Sequence, residues 1–328
     1  MNVNQKKYEN DCLWMVKGVA SIIVILFHCP IEGILGEGII YALRFPIPIF
    51  FMSTGYFLYK KADYFGKIKI YLKYLFFAES VAGISVFIKI LMESSFDEFC
   101  SLLNLKFSLK TLLFGSVFND TLWYLYAMIW TFIFLYFLSR IRRGFAIGYT
   151  FVPLLLFLHI AGRVYVTNHY DINEWVFLFR SSVLFALPFV LIGRFIAEKQ
   201  KVLIINYWSI SILLCAGILL MFFEYFKWHR FMDLQVSTIF ISIALFLFAL
   251  YKTDFKFFGL FRYIGKNLLL YVYIFHIPVY TIVSMIFRKF KIENQNLTTL
   301  TVVICTVGIS YFGCKVKKML TSSTMKIN

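Results

Sequence analysis

The sequence predicts an all-α fold, a bundle of about ten transmembrane helices, and three observations carry that prediction. Of the 328 residues, 61% are hydrophobic and only 15% charged, against roughly 25% charged in an ordinary soluble domain. Apolar stretches of about 20 residues, enough to cross the hydrocarbon layer, recur along the whole chain. Lysine and arginine gather between alternate stretches instead of spreading evenly.

The spans read, in order, 13–31, 39–58, 70–92, 122–139, 145–161, 177–196, 204–222, 234–251, 268–287 and 297–315. The second contains Pro46 and Pro48, which a bundle tolerates because neighbouring helices satisfy the freed carbonyls. The fifth is short. Ten spans put both termini on one side of the membrane. That side carries Lys60, Lys61, Lys67, Lys69 and Lys73, then Arg140, Arg142 and Arg143, and later Lys315, Lys317 and Lys318. Cations on the other side are fewer, among them Lys106, Lys110 and Arg288. The positive-inside rule therefore makes both termini cytoplasmic.

The formal charge of +16 then reads as a collar on the inner leaflet, which removes nucleic acid as a favoured partner. A single membrane-embedded domain, 1–328, is expected, in a multi-pass protein of the bacterial plasma membrane. The polar start, with no small-residue cleavage site after the first apolar run, leaves that run as an anchor. The longest loop, 93–121, is expected outside, with 107–118 lying on the membrane surface as an interfacial helix. Six cysteines show no C-x-x-C spacing, so no metal site is expected. A Cys29–Cys100 disulfide is the pairing left open. No internal repeat is visible, which weighs against a transporter built from inverted halves.

Ionisable groups inside a membrane are costly, so each is a candidate for function. Lys17 and His28 share the first span, eleven positions apart. At 100° per residue they project from one helix face, separated by about 16 Å. An extended acyl-CoA fits that separation, with its phosphates at the lysine and its thioester near the histidine, a natural general base near neutral pH. The alternative is a lysine that snorkels to the interface and a histidine that bonds a neighbouring helix. From spacing alone the second reading is the stronger.

Motifs shift that balance. The segment from Lys17 to His28 resembles the basic residue, ten-residue gap and histidine of the membrane acyltransferase-3 family. Arg44-Phe-Pro-Ile-Pro-Ile-Phe-Phe-Met-Ser-Thr-Gly55 resembles the family's second-span segment, and Leu122-Trp123-Tyr124-Leu125 resembles the opening of its fourth. Leu270-Tyr-Val-Tyr-Ile-Phe-His276-Ile-Pro278 is similar to its late Tyr-x-x-x-x-His-x-Pro segment. These matches follow the family's order, and ten spans with both ends inside agree with its topology. The resemblance implies transfer of an acyl group, usually acetyl, from cytoplasmic acyl-CoA to a hydroxyl of an extracytoplasmic glycan. It implies His28 as the essential histidine and Lys17 as its basic companion. Many members carry Arg-x-x-Arg after the second span to hold the donor's phosphates. Here Lys67, Lys69 and Lys73 stand instead, and a lysine is a point charge without the bidentate fork. An ordinary topogenic cluster explains these three equally well.

Further groups carry two readings each. Arg44 holds an acceptor or an oxyanion, or snorkels. Glu79 is paired or protonated at mid-bilayer, with catalysis the lesser reading. His276 is read as a hydrogen-bonding bundle residue more than as the base. Arg180 and Arg163 line an outer vestibule or anchor the interface. Trp123 stacks on a sugar ring or joins an aromatic belt. No permanently bound cofactor is expected, with acetyl-CoA a co-substrate. The alternative function is a transporter or permease without covalent chemistry.

Overall fold

The computed structural model describes residues 10–59, 63–93, 120–200, 202, 206–228, 233–252 and 258–324, and every regular element among them is helical. In chain order these are α1 (Asp11–His28), α2 (Ile34–Ala42), α3 (Pro46–Leu58), α4 (Tyr64–Glu93), α5 (Trp123–Arg140), α6 (Gly144–His169) and α7 (Ile172–Phe179). After a π turn at Ser182–Ala186 come α8 (Leu187–Lys199), α9 (Tyr207–Trp228), α10 (Val236–Tyr251) and α11 (Gly259–Tyr263). A second π turn, Ile264–Leu268, leads into α12 (Leu269–Lys289), and α13 (Gln295–Thr324) ends the described chain. The expected surface helix at 107–118 lies outside the described residues.

Seven segments are long and apolar enough to cross a membrane: Asp11–His28, Gly36–Leu58, Tyr64–Ile88, Gly144–His169, Tyr207–Lys227, Gly259–Lys289 and Gln295–Met319. The chain is a multi-pass membrane protein. The other three expected spans also exist as helices, but each falls short of that standard for a visible reason. α5 has 18 residues whose Trp and Tyr content lowers its mean hydropathy. α10 has 16. The sixth expected span is broken at Arg180–Ser181 between α7 and the first π turn.

Two other expectations needed correction. The span 39–58 is two helices, interrupted at Leu43–Phe45, with Pro46 at the first position of α3, where a missing N–H costs nothing and the fixed φ suits a helix. The fifth span is not short, because α6 runs two turns further to His169 and carries Arg163 inside the helix.

What draws the helices together is legible at two crossings. A Cβ at Gly55 would overlap the Val190 carbonyl oxygen, and one at Gly193 would overlap that of Met52. The backbones of α3 and α8 therefore touch, as small residues permit between membrane helices. Gly18 of α1 and Gly265 of the second π turn make the same kind of approach, against Phe261 and Trp14. Around the first crossing the core fills with aromatic rings, among them Phe51, Phe132, Phe185, Phe189 and Phe246, each at most 1% exposed. Near the second, Arg262 Nη1 donates to Asp11 Oδ2 at 2.6 Å, fixing α11 to the start of α1.

Candidate active site

α1 ends at His28, whose ring is exposed. Lys17, Ser21, Val24 and His28 follow one another at spacings of four, three and four, so they form one stripe of that helix. Ser21 and Val24 line a cavity of about 200 Å³. Its other walls come from Ile47 and Phe50 of α3, Tyr71 and Tyr74 of α4, Tyr124 of α5, and Tyr273 and His276 of α12. The cavity thus lies along the face between Lys17 and His28 that sequence spacing had marked.

His276 closes the cavity beside His28. The two ring centroids are 5.2 Å apart, with the planes tilted by 48°. His276 is 1% exposed, and its Nδ1 lies 2.7 Å from the Tyr273 carbonyl oxygen. A carbonyl only accepts, so Nδ1 bears the hydrogen and the neutral ring presents a bare Nε2. That Nε2 is buried without a hydrogen-bond partner. Tyr273 is held in turn by its hydroxyl, which donates to the Thr121 carbonyl at 2.5 Å. A buried nitrogen lone pair next to a second, exposed imidazole is a proton-accepting arrangement. The Nδ1 bond stays within α12, one turn back, so it ties His276 to no neighbouring helix, and Nε2 has no hydrogen-bond partner.

The donor-side candidates sit apart from this pair. Lys17 is half-buried, with Nζ 4.6 Å above the Trp14 ring. Lys67 is half-buried on the first turn of α4, while Lys69 and Lys73 are exposed. Lys67 lies one turn before Tyr71 and Lys73 next to Tyr74, so α4 leads from these lysines into the cavity wall. Glu79 is further along and accepts a hydrogen bond from the Tyr126 hydroxyl at 3.0 Å. Trp123 opens α5 and packs against Phe185 (5.6 Å, edge-on) and Phe51 (6.2 Å). It is a half-buried core ring in this structure.

At the end of the bundle that carries His28, two helix breaks and the last turns of α6 bring together an arginine layer. Arg44 sits in the α2–α3 break, with its guanidinium carbon 4.8 Å over Phe27. Arg180 sits in the α7 break and donates from Nε and Nη2 to the two carboxylate oxygens of Asp233, at 3.1 and 3.0 Å. Arg163 Nη2 is 3.9 Å from the same carboxylate. Burial works to raise the Asp233 carboxyl, but Arg180, then Arg163 and Arg44, hold it well below the usual carboxylate range. His28 feels the charges of Arg180, Arg44 and Asp233.

Asp233, and Glu224 and Gln235 beside it in the fold, were not anticipated, although its partners Arg180 and Arg163 were. Glu224, 2% exposed, accepts from the Val236 and Ser237 amides at 2.8 and 3.3 Å and from the Ser237 hydroxyl. A carboxylate thereby caps the start of α10. Gln235 Nε2 donates to the Tyr41 hydroxyl at 3.0 Å. An acid within an apolar run, as Glu224 is, was the signal available in the sequence. His159, one turn before Arg163 and fully buried between Phe179 and Phe185, was missed too. Cys29 is a free thiol, 3.3 Å from Thr299 Oγ1, and Cys100 lies outside the described residues. No cluster able to hold a metal ion occurs among the described residues.

A multi-helix membrane bundle with paired histidines over an aromatic cavity is the class of protein that fold and site define. The acyltransferase-3 family model, described as an acyltransferase domain, matches residues 10–314, and the chain belongs to that family. An amino-acid racemase of Enterococcus faecalis is 27% identical over 347 aligned residues, covering 94% of this chain and 46% of that protein. The chain spans about half the length of this curated relative, whose name describes the longer protein. No solved structure matches.

Proposed function

We propose that the chain transfers an acyl group, acetyl in the first instance, from cytoplasmic acyl-CoA to a hydroxyl on the far side of the membrane, on a cell-surface glycan. The observation that carries this reading is the cavity lined by Ser21 and Val24, which lie between Lys17 and His28 on α1, and by His276, whose buried Nε2 has no hydrogen-bond partner. The positive-inside reading of the sequence, with both termini cytoplasmic, supports the lysine end of this path lying at the inner surface.

In this reading Lys17, Lys67, Lys69 and Lys73 attract the donor's phosphates, and its acyl arm enters along the face of α1 past Ser21 and Val24. Tyr71, Tyr74 and Tyr124 form walls that exclude water from the thioester. His28 takes the proton of the acceptor hydroxyl as that oxygen attacks the thioester carbonyl. The carbon–sulfur bond breaks, an ester forms, and the coenzyme thiolate leaves to be protonated. His276 Nε2 supports the charge gained by His28, either by accepting its N–H or by taking the proton onward.

Purified full-length protein in nanodiscs, mixed with acetyl-CoA labelled in the acetyl group, tests this. An enzyme liberates free coenzyme A and moves label to an added glycan fraction, to water or to itself. Binding with no loss of the thioester over many hours contradicts the proposal and leaves a carrier.

A further inference from the structure

Three guanidinium groups meet at the His28 end of the bundle, and the described carboxylate that answers them is Asp233. Arg180 engages that carboxylate through two donors, whereas Arg163 reaches it only at 3.9 Å. Arg163 is 8% exposed, and its Nε and Nη1 are buried without partners. Arg44 Nε is buried without a partner as well. A buried charge whose donors go unanswered is strongly unfavourable in any protein, and more so at membrane depth. Buried donors of this kind call for a specific explanation. Among the described residues the layer has three cations to one anion, it lies beside the exposed ring of His28, and the Arg44 guanidinium stacks over Phe27.

We propose that Arg44 and Arg163 form an anion subsite that takes an acid group, carboxylate or phosphate, carried by the hydroxyl acceptor. This deepens the acyl-transfer reading and rests on it. The planar guanidinium fork matches both anions in geometry and charge. Arg180 is committed to Asp233, and Asp233 keeps Arg163 oriented, with the loop held by Glu224 and Gln235. A neutral acceptor would leave three buried donor nitrogens unpaired, and a site built to bond a group rejects the analogue that lacks it. The subsite would fix the acceptor's hydroxyl at His28 by holding its acid group a short distance away.

The test uses the full-length protein in phosphatidylcholine nanodiscs, titrated with glucuronate, inorganic phosphate or glucose while thermal stability is followed. A ligand that binds only the folded state raises the midpoint with concentration. Glucuronate or phosphate should do so and glucose should not. Arg163→Gln and Arg44→Gln should each weaken the apparent affinity at least about tenfold, the effect of one charged hydrogen bond. Lys315→Gln, at an exposed position on α13, should leave it unchanged. Arg163→Lys keeps the charge and guards against a folding defect; it should bind more weakly than wild type but measurably. A second arm replaces part of the lipid with phosphatidic acid: an Arg163-dependent rise there, without one from soluble anions, places the acid group on a lipid-borne acceptor. No response that depends on Arg163 or Arg44 in either arm overturns the subsite. Acetyl-CoA hydrolysis on the same samples separates the two claims. Anion binding without hydrolysis keeps the subsite and sinks acyl transfer, and hydrolysis without anion binding does the reverse.

Discussion

Replacing His276 with asparagine separates the two nitrogens of that ring. The asparagine amide retains a donor near the position of Nδ1, so the hydrogen bond to the Tyr273 carbonyl at 2.7 Å can re-form. What disappears is the bare Nε2 beside His28. If Nε2 merely filled space, the loss would be that of a trimmed, still bonded core residue, which alters stability more than rate. If Nε2 supports the charge gained by His28, the effect falls on the chemical step. A single positioned hydrogen bond of about 1 kcal/mol is worth roughly fivefold in rate, and proton transfer itself contributes about 10²- to 10⁴-fold. We therefore expect His276→Asn to lower kcat for acetyl-CoA consumption by roughly 10²-fold. KM for acetyl-CoA should change little, because the lysines assigned to the donor lie elsewhere. The assay is single-turnover release of coenzyme A from purified protein at matched concentration. Turnover within twofold of wild type, with the protein equally stable, would refute a chemical role for Nε2.

Two further outcomes follow from packing and charge. Gly55→Ala drives a methyl into the Val190 carbonyl; backbone cannot yield as a side chain can, so about 1–3 kcal/mol or more of stability should be lost, read as a shortened half-life in detergent. Asp233→Asn leaves Arg180 and Arg163 facing an uncharged amide, and breaking such a buried pair typically costs about 3–5 kcal/mol, less here because the Arg180 side chain is 31% exposed. The sign of its pH dependence is fixed. The Asp233 carboxyl is held below its ordinary range, so its stabilisation is complete above the unfolded value of about 3.9 and fades only as pH falls below that. The stability gap between wild type and Asp233→Asn should stay constant from neutral pH down to about 4 and narrow at lower pH; a gap that closes above pH 5 contradicts the pairing.

Much of this architecture is written in hydropathy, because a bilayer forces each crossing to be a long apolar helix. Each of the ten spans read from the sequence has a helix beneath it. The breaks at 43–45 and 180–181 escaped, since a hydropathy window averages over the few residues that matter. Yet those breaks are where Arg44 and Arg180 stand. The π turn at Ile264–Leu268, which carries the Gly265 crossing, escaped because a shift of hydrogen bonding by one residue leaves no compositional trace. Among site residues, helical spacing places Lys17 and His28 on one face of α1, and Ser21 and Val24 between them line the cavity. His276 was visible as a motif residue, but its proximity to His28 is tertiary: α1 and α12 are some 250 positions apart in sequence. Asp233 reads as a loop acid until α6, α7 and α10 bring it among three arginines.

The central claim is that His28 accepts the proton when an acyl group moves from coenzyme A to a hydroxyl. Its most direct test is acetyl-CoA turnover by His28→Ala beside wild type, at matched membrane abundance. The account predicts a loss of about 10²- to 10⁴-fold, with insertion intact, since removing one polar group from an apolar helix does not oppose it. Turnover that stays at the wild-type rate in His28→Ala would contradict the account.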